Sequence, residues 1–291
     1  MPRMHADELD VDDALVQVLV AEQFPEWAGL PVERIEPGGT VHLIFRLGDE
    51  LSIRLPRRLG PTVAEDDEHT WLPRLAPHLP LQIPLPVARG RPGAGYPWYW
   101  SVHTWIEGEN AITTPLPDDE QTADDLAAFV AALQRIDATG GPEPAGGRGK
   151  PLAWRDEAVR DALERVKAPG ALERWDEWAR APEWEGAPVW MHADLDARNV
   201  IVRDGRLAAV IDWGGMGVGD PAVDLMAAWK FLSAPQRERF RETLGIDDDT
   251  WTRAHGWVLS QSLIALGYYT LETNPTLVRE ARRWLAEVNA G

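Results

Sequence analysis

The stretch Trp190–Gly214, WMHADLDARNVIVRDGRLAAVIDWG, sets Asp194, Asn199 and Asp212 among the apolar runs Val200-Ile201-Val202 and Ala208-Ala209-Val210-Ile211. Buried polar side chains cost free energy unless they are paired or bind something. Residues 199–202 and 207–211 read as short strands around Asp204-Gly205, a dipeptide suited to a tight hairpin. Such a hairpin places Asn199 and Asp212 at the same open end. An amide oxygen beside a carboxylate is a hard-ligand pair that suits Mg²⁺. Asp194 lies five residues before Asn199, on a loop that turns back into the strand, and is left to accept a proton from a hydroxyl. A base, an Asn and an Asp are the parts needed for phosphoryl transfer to an alcohol. Singly, each residue has a plainer reading as a turn or helix cap; together, at these spacings, they read as a site.

Working outward, the first hundred residues are strand-rich. Residues 8–24 read as an amphipathic helix with Val11, Leu15, Val18 and Leu19 on one face. Residues 32–57, VERIEPGGTVHLIFRLGDELSIRLPR, read as strand, Gly-rich turn, strand, short turn at Gly48-Asp49-Glu50, strand. A helix follows over 62–76, carrying Glu65, Glu68 and Trp71, then a strand-like aromatic run over 96–109. From Asp118 onward the periodicity is helical. The loop GGPEPAGGRGKP at 140–151 interrupts it, helices are expected at 154–167 and 170–181, and short strands at 189–191, 199–202 and 207–211. Four further helical segments fill 219–232, 234–245, 247–269 and 275–288. The expected architecture is α+β, with a β-rich N-terminal lobe over 1–105 and a mainly helical lobe over 106–291, joined by a linker at about 104–117.

Composition narrows the partners. The 291 residues carry a net charge of −18, which argues against nucleic acid or an anionic membrane surface and suits a cationic ligand. There is no Cys, so disulfides and thiolate metal sites are excluded. The acidic N-terminus lacks the apolar core of a signal peptide, and no apolar run approaches a membrane span, so the cytoplasm is the expected location. The fifteen Trp read first as core packing.

The segment His192-Ala193-Asp194, Asn199, Ile211-Asp212-Trp213, with GVGDPAVDL at 217–225, resembles the catalytic region of the aminoglycoside phosphotransferase family, small-molecule relatives of protein kinases. The resemblance implies a bilobal protein-kinase-like fold and a nucleotide-dependent transferase with an alcohol as acceptor. It implies Asp194 as catalytic base or substrate-orienting carboxylate, and Asn199 and Asp212 as Mg²⁺ ligands. His192 is expected to order the loop, and Asp220 and Asp224 to cap and brace the helix that follows. EPGGTVHLIFRL resembles the family's nucleotide-covering hairpin, so Gly38 and Gly39 are expected to let backbone approach the phosphates of ATP or GTP. Arg54 stands where kinases place a strand Lys, with Glu68 as its expected partner and Glu65 second. SVHTWIEGE resembles the hinge, which implies that adenine bonds the backbone around Thr104, Trp105 and Ile106. Between Asp194 and Asn199 the chain departs from the family's usual small or Pro-Gly residues. There, Asp196 either adds charge for substrate amines or pairs with Arg198.

The resemblance implies a small-molecule acceptor, with an antibiotic such as an aminoglycoside as the expectation and a macrolide or a small metabolite such as an amino alcohol or a sugar as alternatives. Asp156, Glu157, Asp196 and Glu272 are acidic candidates for its pocket; Trp154, Trp229, Trp257, Tyr268 and Tyr269 are aromatic ones. A pseudokinase would have lost Asp194, Asn199 or Asp212, and none is lost. A metal-dependent hydrolase would need more His or carboxylate ligands near 192–212 than His192 alone supplies.

Overall fold

In residues 42–47, Leu43, Phe45 and Leu47 are buried and alternate with His42, Ile44 and Arg46 on a half-exposed face, the period-two pattern of a strand packed on one side. The computed structural model describes residues 8–35, 39, 41–58 and 63–290. The chain divides into two units, Met1–Pro77 with Gln82–Glu107, and His78–Leu81 with Gly108–Gly291.

The first unit is built from α1 (Asp13–Gln23), β1 (Val32–Arg34), β2 (His42–Leu47), β3 (Leu51–Pro56), α2 (Val63–Leu75), β4 (Pro86–Gly90) and β5 (Trp100–Thr104). Its five strands pair antiparallel in the order β1-β2-β3-β5-β4. The β2–β3 hairpin closes at Gly48, whose φ of 59° suits glycine. Asp12 caps α1 by accepting from the Leu15 N–H at 2.8 Å. The buried face of α1 is Val16, Leu19 and Val20, packed with Phe45, Ile53, Leu55, Trp100 and Val102. Val18, expected on that face, is 45% exposed, and the buried positions are instead Val16, Leu19 and Val20. The strand β4 was not foreseen.

The second unit contains β6 (Glu109–Asn110), α3 (Glu120–Gln134), α4 (Asp156–Arg165), α5 (Ala171–Trp178), β7 (Val189–Met191), β8 (Val200–Arg203), β9 (Arg206–Val210), β10 (Gly217–Gly219), α6 (Ala227–Phe231), α7 (Ala234–Leu244), α8 (Asp248–Tyr268) and α9 (Pro275–Ala290). Two small sheets, β6-β8-β9 and β10-β7, sit among these helices. The central α8 buries Trp251, Trp257, Val258, Leu259 and Leu263 and packs against α4, α5 and α9. Trp175, Trp190, Trp213, Trp229, Trp257 and Trp284 are all fully buried here, as core packing requires. The β8–β9 turn is Asp204-Gly205, with φ of 53° and 72°, the backbone a tight hairpin demands. Residues 221–226, expected as part of one long helix, form 3₁₀ turns that run into the short α6. Among the described residues no helix is long and apolar enough to cross a membrane.

Candidate active site

The loop that leaves β7 is fixed by hydrogen bonds to one buried carboxylate. Asp224 accepts from the His192 N–H and the Ala193 N–H, both at 2.7 Å. Burial pushes the Asp224 carboxyl up, while His192, the two N–H groups and Lys230 favour its anion. Asp224 therefore braces this loop rather than the helix that follows it, a correction to the sequence reading. Asp220 does cap its own turn, accepting from the Ala222 N–H at 2.9 Å, and takes Arg253 on both oxygens at 2.7 and 3.2 Å. Ala193 sits at φ 65°, a strained value for a side chain with a Cβ. His192 Nδ1 faces the Asp194 N–H at 3.3 Å and Nε2 faces the Ile211 carbonyl at 3.0 Å, and its ring packs edge-on to Trp213. Both ring nitrogens meet backbone, so His192 orders the loop.

The hairpin sets Asn199 and Asp212 at one end, and Asn199 reaches back to Asp194. Val200 pairs with Val210, and the Ile211 N–H donates to the Asn199 carbonyl at 2.9 Å, so Asn199 and Asp212 flank the same end of β8–β9. Asn199 is buried, and its Nδ2 donates to the Asp194 carbonyl at 2.8 Å with the Asp194 carboxylate 3.5 Å away. That fixes the amide so that Oδ1 is the atom left to accept. Asp212 holds φ 63°, and its carboxylate takes no hydrogen bond among the described residues. Backbone strain at a non-glycine residue is stored where a side chain must be aimed. Two oxygen donors without hydrogen-bond partners suit Mg²⁺, which keeps waters and substrate oxygens in its remaining positions. Among the described residues no group of three or more His, Cys, Asp or Glu is placed to hold a metal ion.

Asp194 is ringed by cations that the sequence reading did not name. Arg148 lies 3.7 Å from Oδ1, Lys230 3.9 Å from Oδ1, and Arg198 3.8 Å from Oδ2. Burial pushes the Asp194 carboxyl up, but these three charges outweigh it and hold the group far below the usual carboxylate range. Asp196 is fully buried and clamped by Arg198, whose Nε and Nη2 donate to its two oxygens at 3.0 and 2.5 Å, with Lys230 Nζ 3.7 Å away. Of the two fates left open for Asp196, the structure realises the pair with Arg198. Lys230 is itself fully buried, donating to Gln261 Oε1 at 2.7 Å and lying over the Trp284 ring. The signal for Lys230 was faint: it is the single charged residue in the run Leu225–Leu232. Arg148 stood in a stretch read only as flexible loop.

In the first unit, Arg54 and Glu68 are both buried and pair at 3.2 Å, as expected. His103 Nε2 lies 3.7 Å from Glu68 and 3.1 Å from Ser101 Oγ; burial, Arg54 and the neighbouring histidines hold it well below its ordinary value, so the ring is neutral. A Cβ on Gly39 would come within 3.3 Å of the His42 carbonyl. Gly38 and the side chain of Glu65 lie outside the described residues. The hinge expectation narrows. The Thr104 N–H donates to the Leu85 carbonyl at 2.8 Å and the Trp105 N–H to the Glu50 carbonyl at 2.7 Å. Among the described residues only Ile106 of the three keeps an N–H without a partner. Of the acceptor-pocket candidates, Trp229 and Trp257 are buried, Asp156 is bonded to Arg160 and Trp175, and Trp154 is 61% exposed.

A family model described as phosphotransferase enzyme family matches residues 32–257. No curated protein matches the chain in sequence. Among solved structures, the GDP complex of wild-type aminoglycoside 2'-phosphotransferase-IIIa is similar at a TM-score of 0.75 and 17% identity, covering 96% of this chain and 99% of that one. The apoenzyme of macrolide 2'-phosphotransferase MphH from Brachybacterium faecium is similar at a TM-score of 0.64 and 24% identity, covering 96% and 98%. Macrolide 2'-phosphotransferase type I is similar at a TM-score of 0.65 and 19% identity, covering 97% of each chain. These likenesses show the kinase-like fold, with a sheet in its N-terminal part and a mostly helical C-terminal part.

Proposed function

We propose a function from one premise: the chain belongs to the phosphotransferase enzyme family. Its reaction is the transfer of the γ-phosphoryl group of ATP or GTP to a hydroxyl of a small molecule. The observation that carries this reading is the loop carboxylate of Asp194, held as an anion beside the Asn199–Asp212 end of one hairpin. Asp194 acts by accepting a hydrogen bond from the hydroxyl and aligning its oxygen for attack. The hydroxyl proton passes to it late, as the new P–O bond forms and the nucleoside diphosphate leaves. Asn199 Oδ1 and the Asp212 carboxylate would hold Mg²⁺, which when bound neutralises charge on the donor's phosphate oxygens. In the first unit, Arg54, kept in place by Glu68, is the residue proposed to meet the donor's phosphates, with the Gly38-Gly39 backbone. The Ile106 N–H is the group proposed for the base.

The acceptors named for the similar structures, aminoglycosides and macrolides, are the first to test, with small metabolites beside them. The test is acceptor-dependent release of nucleoside diphosphate from Mg-ATP or Mg-GTP, with Asp194→Asn as control. Release that vanishes in the variant, while nucleotide binding survives, supports the reading. Full turnover by Asp194→Asn sinks it.

A further inference from the structure

Arg148 and Arg155 lie close together in the second unit, and neither has a matching acid to itself. Arg155 ends the 3₁₀ turn Leu152–Arg155 and is partly buried against α8. Its Nε donates to Ser260 Oγ at 3.1 Å, its Nη1 to the Gly146 carbonyl at 3.2 Å, and its guanidinium lies 5.7 Å from the Trp257 ring. Among the described residues no carboxylate comes within 4.0 Å of it. Burial, with the Arg148 charge added, lowers Arg155 to about 10. Arg148 sits between Gly147 and Gly149, at φ 71° and 84°, in a turn that glycine alone forms without strain. Its one acid neighbour among the described residues is Asp194, at 3.7 Å, and it donates no hydrogen bond.

In a chain with 47 acidic and 29 basic residues, a half-buried guanidinium beside another guanidinium and no carboxylate is a costly arrangement. Nearby on α8, Trp257 Nε1 and Gln261 Nε2 are buried donors without partners, and Gln261 Oε1 holds Lys230, which faces Asp194. Donors and positive charge in excess, next to a reacting carboxylate, call for an anion.

We infer that Arg148 and Arg155 form a subsite for an anionic group of the acceptor, so that the hydroxyl presented to Asp194 belongs to an acidic compound bearing a carboxylate or phosphate. The inference rests on the phosphotransfer reading and narrows its substrate class. A polycationic acceptor would meet Arg148 and Arg155, and find Asp196 buried and already neutralised by Arg198 and Lys230.

The test is calorimetric titration of the full chain with two anionic alcohols, gluconate and glycerol 3-phosphate, and their uncharged counterparts, gluconamide and glycerol. Each titration is run with and without saturating Mg²⁺ and a non-hydrolysable ATP analogue. The anions are expected to bind at least about tenfold more tightly than the neutral pair, a difference of about 1.4 kcal/mol. Arg155→Gln should abolish the preference and Arg155→Lys restore most of it. Ser260→Ala, which removes the Nε partner without changing charge, should weaken it, and melting curves establish that each variant is folded. Equal affinity for charged and neutral compounds overturns the inference, as does an unaltered preference in Arg155→Gln. Anion binding that the nucleotide analogue displaces also overturns it, because the pair then serves the donor's phosphates. Diphosphate release by the same samples separates the two readings. Arg155-dependent anion binding with no release from any alcohol, antibiotics included, counts against phosphotransfer and leaves the anion site standing. Release from neutral or cationic alcohols that Arg155→Gln does not change leaves phosphotransfer standing and removes the subsite.

Discussion

Asp224→Asn tests whether the loop around Asp194 is held by one buried carboxylate. In the native protein two loop N–H groups, of His192 and Ala193, each donate at 2.7 Å to a different oxygen of a fully buried side chain. The amide keeps one oxygen for one N–H and turns an N–H toward the other. One charge-assisted bond is lost and a buried donor is left facing a donor, together about 2–4 kcal/mol. At 1.4 kcal/mol per factor of ten, that is a roughly 30- to 700-fold loss of protection at these two amides. Native-state hydrogen exchange reads them directly, and residues of the first unit serve as the internal reference. Ala193 is already strained at φ 65°, so a loosened loop should relax there and displace Asp194. A misplacement of about 1 Å at a reacting group costs on the order of 10²-fold in turnover. Asp224→Ala should go further, since it orphans both N–H groups. Unchanged exchange at His192 and Ala193, with unchanged kcat, would refute the brace.

Three other outcomes are expected. Arg54→Met leaves Glu68 buried without its main counter-charge and should cost about 3–5 kcal/mol in denaturant unfolding of the first unit, with Arg54→Met/Glu68→Leu recovering much of it; a single variant as stable as wild type refutes the pair's role. His103 and His255 are both lowered from 6.5, chiefly by burial. A histidine kept neutral in the fold contributes stability above its unfolded value, and that stability is lost as pH falls below about 6.5, at about 1.4 kcal/mol per pH unit for each ring. Urea midpoints at pH 7.5, 6.5 and 5.5 should fall in that order, and His103→Gln should flatten the slope for the first unit; a flat wild-type profile contradicts the burial argument. Gly90→Ala would set a Cβ 1.9 Å from the buried Trp100 ring and should destabilise the first unit by about 1–3 kcal/mol, seen as a lower Tm; an unshifted Tm rules out the close approach.

The sequence by itself determined the local order of the chain. Alternation in residues 42–47, the Asp204-Gly205 turn and the helical periods after Asp118 depend on neighbours a few residues away, and the strands and helices they announce are present. The meeting of Asn199 and Asp212 was legible for the same reason, because a two-residue turn fixes the register of a short hairpin. The Arg54–Glu68 pair was legible by resemblance to the family, not by pattern. Only the tertiary structure decided the rest. Arg148, Lys230 and Asp224 reach the loop around Asp194 from segments 46, 36 and 30 residues away in the chain, with no shared period to reveal them. Asp196 had two open fates until Arg198 and Lys230 were seen on either side of it. The Thr104 and Trp105 N–H groups could not be known to be engaged until β5 was placed beside its neighbours. Periodicity records which face of an element is buried; which charges share a point is a matter of packing in three dimensions, where Coulomb energy depends on distance through space rather than along the chain.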